Sequence, residues 1–325
     1  MKVGVVGAGM SGLACAELLT RAGHEVIVLD KGRSAGGRMS VRRAATPLGE
    51  AVFDHGAQYF TTRDPRFRAK VDDWIATGRV AAWPVAGPGA YVGTPGMNAP
   101  LRQLADGLSV QFGTRVTGLT RRRPGWSLLL ETGAPMEVDA VVIALPAEQA
   151  AEITASVAPA MAARAEATKT KPCWTVMAAF ANRLPTSLNC WRGDEEDPLA
   201  WAARNLSKPG RTGPEAWVLQ AGPVWSLHNE AAAEPEVMSV LLAALSDRIG
   251  MALETPVFQA AHRWRYARSG AEGSGAIWDP EHLIGMCGDW LLGPRVEAAW
   301  VSGTVLAEQI GLSSYSSIVP GTLSR

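Results

Sequence analysis

The first thirty residues constrain the fold of this chain more strongly than any other stretch. The β-rich run KVGVVGAG leads into Gly7-x-Gly9-x-x-Gly12, and LACAELLTRAG follows with apolar residues at nearly helical spacing. A second apolar run, HEVIVLD, ends in Asp30. This order predicts a β-α-β unit whose glycines permit a sharp turn, a close approach to a pyrophosphate and tight helix packing.

Asp30 limits which dinucleotide the turn can hold. It lies 18 residues after Gly12, where a carboxylate can accept hydrogen bonds from both hydroxyls of an adenosine ribose. Because the same carboxylate would repel a 2′-phosphate, we expect a tightly bound NAD or FAD and not NADP. The fingerprint alone does not choose between NAD and FAD.

The residues after Asp30 favour FAD. The stretch KGRSAGGRMS places Gly36, Gly37 and Arg38 directly behind the second strand. A Gly-Gly pair lets the backbone pass close to a ligand, and an arginine can make a bidentate contact with a pyrophosphate. An NAD dehydrogenase would proceed to another crossover helix here, whereas this chain continues into FDHGAQYFTTRD.

These motifs resemble the FAD-binding start of the amine-oxidase-like flavoproteins, and DHGAQYF resembles the bacterial renalase-like members. The stretches GTPGMNAPLRQLA, WAARNLSKP, AHRWRYAR and GDWLLGPRVEAAWVSG extend the resemblance over nearly the whole chain. It implies an α/β + β fold, with a Rossmann-like three-layer FAD-binding domain and an interleaved substrate domain on a mostly antiparallel sheet. We expect the first domain at 1–62, 95–155 and 262–325, and the second at 63–94 and 156–261.

Local patterns agree with that organisation. VDDWIATGRVAAW predicts a helix and a strand, and Asn98 with Pro100 predicts a helix start. VQFGTRVTGLTRR, WSLLLET and VDAVVIALP predict strands, with RRRP as a solvated hairpin tip. An Ala-rich helical stretch spans 147–168. CWTVMAAF, LAWAARN, EAWVLQAG and VFQAAHRWRYA predict the separate antiparallel sheet.

The resemblance also implies non-covalently bound FAD. The strand IGMCGD would deliver Asp289 to a ribityl hydroxyl, and Gly293-Pro294 would set a helix whose N-terminus points at the flavin pyrimidine. Such an N-terminus stabilises negative charge by about 0.3–2 kcal/mol. The predicted FAD contacts are Gly7, Gly9, Met10, Ser11, Gly12, Asp30, Lys31, Gly37, Arg38, Met39, Gly56, Ala57, Gln58, Val116, Gly288, Asp289, Arg295, Val296 and Ala299.

Electrons are expected to pass directly from a small-molecule substrate to the flavin. The nearest candidate for a second nucleotide fingerprint, Gly273-x-Gly275, has Trp278 where a third glycine should stand. The chain also has no CxxC or short paired cysteine spacing that would relay electrons. We therefore expect hydride transfer to flavin N5, with O₂ reduced to hydrogen peroxide.

Arg295 bears on the choice of substrate. Amine oxidases of the superfamily commonly hold the amine against an aromatic residue that precedes a helix start, and Arg295 occupies that position here. A guanidinium would repel an ammonium ion. Renalase-like proteins instead oxidise 2- and 6-dihydro isomers of NAD(P), which the resemblance implies for this chain. The candidate catalytic residues are Gln58, Tyr59, His262 and Arg295, with Trp264 and Trp290 as stacking surfaces.

Two alternatives remain open: an amine or other small-molecule oxidase, and an FAD-binding scaffold or redox sensor with little turnover. Lys+Arg and Asp+Glu are both 31, which favours neither nucleic acid nor an anionic membrane. The histidines show no metal-ligand spacing, and no apolar run reaches the roughly 18 residues that span a bilayer. We expect a metal-free cytoplasmic protein that is a monomer or a weak homodimer.

Overall fold

The structure, a computed structural model, describes residues 1–316. It divides into two compact units: Met1–Gly37, Leu101–Lys169 and the chain from Ser269 form the first, and Arg38–Pro100 with Thr170–Arg268 form the second. The predicted boundaries differ: residues 38–62, 95–100 and 262–268 belong with the second unit, and residues 156–169 belong with the first. One strand of the hairpin within residues 38–62 packs against the sheet of the second unit. Residues 317–325 of the predicted FAD domain lie outside the described residues.

Each predicted helix is present, and the Ala-rich stretch forms two helices instead of one. The helices are α1 Met10–Arg21, α2 Pro65–Ala76, α3 Ala99–Asp106, α4 Ala147–Thr154, α5 Pro159–Ala167, α6 Pro223–His228, α7 Glu234–Ile249 and α8 Val296–Ser316. Helix α2 begins at Pro65, before the predicted run, and helices α6 and α7 were not predicted.

The strands include every run that the sequence predicts. They are β1 Lys2–Val6, β2 Glu25–Asp30, β3 Arg42–Thr46, β4 Gly49–Phe53, β5 Val80–Ala82, β6 Tyr91–Gly93, β7 Ser109–Phe112, β8 Val116–Arg121, β9 Trp126–Leu130, β10 Met136–Val138, β11 Ala140–Ile143, β12 Thr170–Phe180, β13 Cys190–Arg192, β14 Trp201–Arg204, β15 Glu215–Gln220, β16 Phe258–Ser269, β17 Ile277–Asp279 and β18 Ile284–Met286.

The first unit contains a six-stranded sheet in the order β17-β18-β11-β1-β2-β7. The pairs β1–β11, β1–β2, β2–β7 and β11–β18 are parallel, and β17 joins the edge antiparallel to β18. All four residues of β11 are buried, as expected for a parallel strand covered on both faces. The predicted β-α-β unit and its parallel sheet are therefore confirmed. RRRP forms the predicted exposed turn between β8 and β9.

Helix α8 packs closely against α1, and small residues make that approach possible. A Cβ on Gly303 would lie 2.1 Å from the carbonyl oxygen of Ser11, and one on Gly12 would lie 2.0 Å from the carbonyl oxygen of Gly7. The helix carrying the N-terminal fingerprint is thus held between β1 and the C-terminal helix. No larger side chain fits at either glycine without a backbone shift.

Two cysteines that are far apart in the sequence meet inside the first unit. Cys15 on α1 and Cys287 after β18 are both fully buried free thiols. A hydrogen bond with the Cys287 thiol and burial together raise the pKa of Cys15 well above its ordinary value. Because the thiolate is the reactive form, this pair is unreactive packing in the folded protein.

The second unit is built on a five-stranded sheet in the order β13-β14-β15-β12-β16, which confirms the predicted second sheet. The pairs β13–β14, β14–β15 and β12–β15 are antiparallel. One face packs on α7 through Trp217, Leu219 and Leu241, and we call the opposite face the inner face. At one end of the inner face, Met177 and Val218 pack under Phe53 of β4.

Within residues 1–316, no helix is long and apolar enough to cross a membrane. The same described residues contain no group of three or more His, Cys, Asp or Glu side chains placed to hold a metal ion.

The close contact of Gly303 with α1 predicts that two glycine-to-alanine variants of α8 differ in stability. Gly303→Ala should lower the free energy of unfolding of FAD-free protein by about 1–3 kcal/mol, because the added methyl overlaps the Ser11 carbonyl. Gly311→Ala on the same helix meets no atom within 4 Å, so it should raise that free energy by up to about 1 kcal/mol. Urea denaturation of both variants makes the comparison. Equal effects would contradict the packing argument.

Candidate active site

The turn between β1 and α1 has the geometry that a pyrophosphate requires. Gly7 adopts a φ of +111°, and a Cβ there would lie 2.6 Å from the carbonyl oxygen of Ala144. Gly9 is the N-cap of α1 and has open space where its Cβ would stand. No side chain caps this helix, so N–H groups of its first turn are available to an anion.

The carboxylate of Asp30 is fixed beside this turn. Its Oδ2 accepts from the backbone N–H of Ala8 at 2.6 Å, and its Oδ1 accepts from that of Gly32 at 2.6 Å. Each carboxylate oxygen retains a further lone pair and can still accept from a ribose hydroxyl. The residues present therefore fit the adenosine end of a bound dinucleotide.

A second group of polar residues in the first unit lies around the start of α8. Gly288 follows β18 and donates from its backbone N–H to Ser302 Oγ at 2.9 Å, and Asp289 is buried directly after it. The helix begins at Val296, as predicted. The sequence reasoning overlooked Glu297, a buried carboxylate in the first turn that shares the positive end of the helix dipole.

Trp290, predicted as a stacking surface, lies in the core. It is fully buried in the first unit and donates from Nε1 to the carbonyl oxygen of Leu145 at 3.2 Å. The prediction that it offers a stacking surface is wrong, because no part of its ring is exposed. Arg295 is exposed just before α8, and its role at the substrate stays a prediction.

The DHGAQYF motif crosses the inner face of the sheet in the second unit. Gln220 Nε2 on β15 donates to the carbonyl oxygen of Gly56 at 2.8 Å, and Trp264 Nε1 on β16 donates to that of His55 at 2.9 Å. At the far side, the Arg192 guanidinium on β13 donates to the Tyr59 hydroxyl. Residues 55–59 are thereby held against strands from both sides of the sheet.

A buried cluster anchors the beginning of this segment. Asp54 Oδ2 accepts from Arg211 at 2.6 Å and from Lys208 at 3.1 Å, and its Oδ1 accepts from the backbone N–H of Met97 at 2.9 Å. All three charged side chains are fully buried. Burial lowers the pKa of Lys208 to about 8, although the charge of Asp54 opposes the change. We call Asp54, Gln58, Lys208 and Arg211 the anchor.

Gln58 belongs to the anchor. Its Nε2 donates to the carbonyl oxygens of Asp54 at 2.5 Å and Gly56 at 3.1 Å, while its Oε1 accepts from Lys208 Nζ at 3.1 Å. Both ends of the amide are therefore used inside the protein. These contacts give Gln58 a positioning role, and its predicted catalytic role stays a prediction.

Two histidines and a tryptophan form one end of the exposed part of the inner face. The ring of His262 lies 5.4 Å from that of His55 and 4.6 Å from that of Trp264. Burial, and then the charges of His262 and Arg42, lower the pKa of His55 to about 4. Burial and Arg42 also lower the pKa of His262, against the opposing charge of Glu234. Both imidazoles are thus neutral at pH 7.

His55 was missed by the sequence reasoning, although it stands inside the motif that was singled out. Its Nδ1 is buried and has no hydrogen-bond partner among the described residues. His262 also borders a cleft of about 600 Å³ beside β16, which is lined by both acidic and basic side chains, among them Glu234 and Arg265. Solvent-sized molecules can therefore reach the edge of the histidine pair.

The other end of the exposed part of the inner face is formed by Tyr59, Trp201 and Arg192. The rings of Tyr59 and Trp201 are stacked with centroids 5.5 Å apart, and the Arg192 guanidinium lies 5.6 Å and 5.5 Å from them. Trp201 Nε1 is buried and has no hydrogen-bond partner within residues 1–316. Orphaned buried polar atoms thus occur at both ends of residues 55–59, where a ligand could satisfy them.

Two family models match successive parts of the chain. Residues 5–74 match the NAD(P)-binding Rossmann-like domain, and residues 82–275 match the flavin containing amine oxidoreductases. A 42-residue segment is 52% identical to an L-amino acid oxidase of Cerastes cerastes, covering 13% of this chain and 8% of the length of that oxidase. The flavin family match confirms the predictions of an FAD-dependent oxidoreductase and of FAD as its cofactor.

Solved structures show the same fold at low sequence identity. A protein of Exiguobacterium sp. 255-15 assigned as a protoporphyrinogen oxidase is 13% identical, with a TM-score of 0.73 over 96% of this chain and 99% of its own. Cyclohexylamine oxidase from Brevibacterium oxydans IH-35A is 14% identical, with a TM-score of 0.67 over 97% of this chain and 99% of its own. These likenesses confirm the predicted fold class.

The contacts of Asp30 predict its effect on the retention of FAD. Asp30→Ala should weaken FAD binding by about tenfold or more, because it removes charge-assisted acceptors from the ribose and frees the turn around Ala8. Flavin titration of the apoprotein, followed by fluorescence, measures this. Asp139→Ala is the matched control, since Asp139 accepts from the backbone N–H of Lys2 at the opposite end of β1. Unchanged affinity in the Asp30 variant would contradict the assignment.

The low pKa of His55 predicts a pH dependence of stability. The unfolded chain binds a proton near pH 6.5 and the folded chain near pH 4, so acid favours unfolding between those values. The contribution is complete above pH 6.5 and is lost as the pH falls towards 4. A pKa difference of about 2.5, at 1.36 kcal/mol per unit, sets an upper limit of about 3 kcal/mol.

His55→Gln should therefore flatten the pH dependence of the free energy of unfolding between pH 4 and 6.5. Urea denaturation across this range measures the slope. His228→Gln, at an exposed position on α6, leaves the buried group in place and serves as the control. The same slope in wild type and the His55 variant would show that His55 does not titrate in this way.

Proposed function

Because the chain belongs to the flavin-containing amine oxidoreductases, we propose that it is a renalase-type oxidase. In this proposal, 2- and 6-dihydro isomers of NAD(P) lose a hydride, and O₂ becomes hydrogen peroxide. The observation that carries the proposal is the charge of the inner face in the second unit. The charge of Arg42 lowers the pKa of both histidines at one end, and the Arg192 guanidinium stands at the other end over Tyr59 and Trp201.

The charge of the inner face is unfavourable for an ammonium substrate. Arg42 lowers the pKa of both His55 and His262, which shows that its positive charge acts on the histidine end. Arg192 places a second positive charge over Tyr59 and Trp201. Two like charges oppose binding of a cation and favour an anion.

The side chains of the inner face suit a dihydropyridine carrying a carboxamide. Such a ring is already a strong hydride donor, so no general base needs to have a pKa near 7. The neutral imidazole of His55 can hydrogen-bond to an amide. The ring of Trp264 beside it offers stacking surface. These side chains would orient the hydride donor and exclude water. They would not add a proton to the donor or remove one from it.

FAD, when bound, supplies the hydride acceptor and the route to O₂. We propose that the turn around Gly7, Gly9 and Gly12 binds its pyrophosphate and that Asp30 binds its ribose. The remaining contacts predicted from the sequence belong to the same proposal. They are Met10, Ser11, Lys31, Gly37, Arg38, Met39, Gly56, Ala57, Gln58, Val116, Gly288, Asp289, Arg295, Val296 and Ala299.

The proposal predicts which reductants bleach the bound flavin without oxygen. Borohydride-reduced NAD, which contains the 2- and 6-dihydro isomers, should bleach it fully in an anaerobic stopped-flow experiment. Purified 4-dihydro NADH is the matched control and should leave it oxidised. Cyclohexylamine, putrescine, an L-amino acid and protoporphyrinogen complete the panel. Admission of air should then yield one hydrogen peroxide for each substrate oxidised.

Other patterns of bleaching would replace the proposal. Bleaching by an amine or an amino acid alone would make the chain an oxidase of that class. No bleaching by any compound, with slow reoxidation of chemically reduced flavin, would favour a flavin-binding scaffold or redox sensor.

A further inference from the structure

Arg192 is held in one orientation at the end of β13 without a carboxylate partner. Its guanidinium lies over the rings of both Tyr59 and Trp201 and donates to the Tyr59 hydroxyl. Among the described residues it forms no ion pair, whereas many surface arginines do, such as Arg43 with Glu50. Its charge is therefore uncompensated where it meets the aromatic surface.

The fixed orientation matters because a guanidinium has five N–H donors in a planar fork. The hydrogen bond to the Tyr59 hydroxyl uses one of them, and stacking on two rings pre-organises the rest. A planar, pre-organised fork binds phosphate oxygens in pairs, with less loss of side-chain entropy than a free arginine. The chemistry of the position therefore suits a phosphate group.

The position of Arg192 on the sheet indicates the length of the ligand. Arg192 is in register with Trp201, and Trp201 with Gln220, so its side chain lies on the inner face. Trp264 lies on β16, four strands away in the same sheet, or roughly 19 Å at about 4.8 Å per strand. A ligand that reaches from the histidine end to Arg192 must be long. A small amine is not, whereas a nucleotide with its phosphates is.

We propose that Arg192 is a specificity-determining residue that binds a phosphate of the nucleotide substrate. The inference rests on the proposed function, since it names the group that the same site recognises beyond the ring. The enzyme should then distinguish a phosphorylated dihydronicotinamide from one that lacks phosphate. The hydride-donating ring is the same in both compounds, so the difference reports binding and not chemistry.

The test compares three borohydride-reduced substrates: the dinucleotide, nicotinamide mononucleotide and nicotinamide riboside, which has no phosphate. Anaerobic flavin bleaching gives kcat/KM for each. Wild type should prefer a phosphorylated substrate to the riboside by about tenfold, the lower range for a charge-assisted hydrogen bond. Arg192→Gln should remove this preference by raising KM for the phosphorylated substrate, so that the ratio of its kcat/KM to that of the riboside falls to about one.

Two further variants separate recognition from structure. Arg192→Lys keeps the charge but loses the fork, so it should retain part of the preference. Arg248→Gln is the matched control, because the Arg248 guanidinium lies 3.2 Å from the ring of Trp191, the neighbouring residue on the opposite face. That variant should keep the full preference. The preference in wild type should also fall with added salt, as ion pairing at an exposed site does.

The outcomes are distinguishable. Loss of preference for the dinucleotide alone would support the inference and assign the contact to its second phosphate. If wild type oxidises riboside and nucleotides equally well, the inference is overturned while the proposed function stands. An equal loss on all three substrates in Arg192→Gln would also overturn it, since that is the mark of a structural role. If none of the three bleaches the flavin, the proposed function fails and the inference fails with it.

Discussion

The buried carboxylate of Asp54 is the contact on which the rest of the second unit's inner face depends. It binds Lys208, Arg211 and the backbone N–H of Met97, which come from separate parts of the chain. The next five residues, 55–59, then cross the sheet in one direction with their carbonyl groups bound by Gln220 and Trp264. Removing one partner of a buried pair leaves an uncompensated charge and costs about 3–5 kcal/mol. The anchor therefore fixes where the histidine and tyrosine rings lie.

The anchor and the ligand-facing side chains both carry net positive charge. Asp54 faces two cations, so the cluster carries a net positive charge while Lys208 is protonated. Arg42 and Arg192 add positive charge at the two ends of residues 55–59. No group named on this face offers an ammonium ion a buried carboxylate that is not already paired. A surface of this kind discriminates between ligands first by their charge and then by how well their rings stack on it.

Local patterns in the sequence predict the first unit well and the second unit only in outline. The glycine turn and Asp30 are close together in the chain, so their spacing alone predicts their geometry. The charged partners of Asp54, Lys208 and Arg211, are more than 150 residues away in the sequence. No periodicity in the sequence predicts contacts of that range. Composition could not separate Trp290, which is core, from Trp264, which lines the inner face. Cys15 and Cys287 meet for the same long-range reason, without any motif.

The pKa of Lys208 shows what the anchor is for. Burial lowers it to about 8 in spite of the attraction of Asp54, so the folded protein disfavours this charge relative to water. A cluster kept for stability alone would be replaced by apolar side chains of similar volume at no loss. What apolar side chains could not do is hold Gln58 Oε1 and Asp54 Oδ2 at once. Lys208 thus ties Asp54, just before the crossing segment, to Gln58, its fourth residue, and the cost of its burial is offset by the position it imposes on the residues between them.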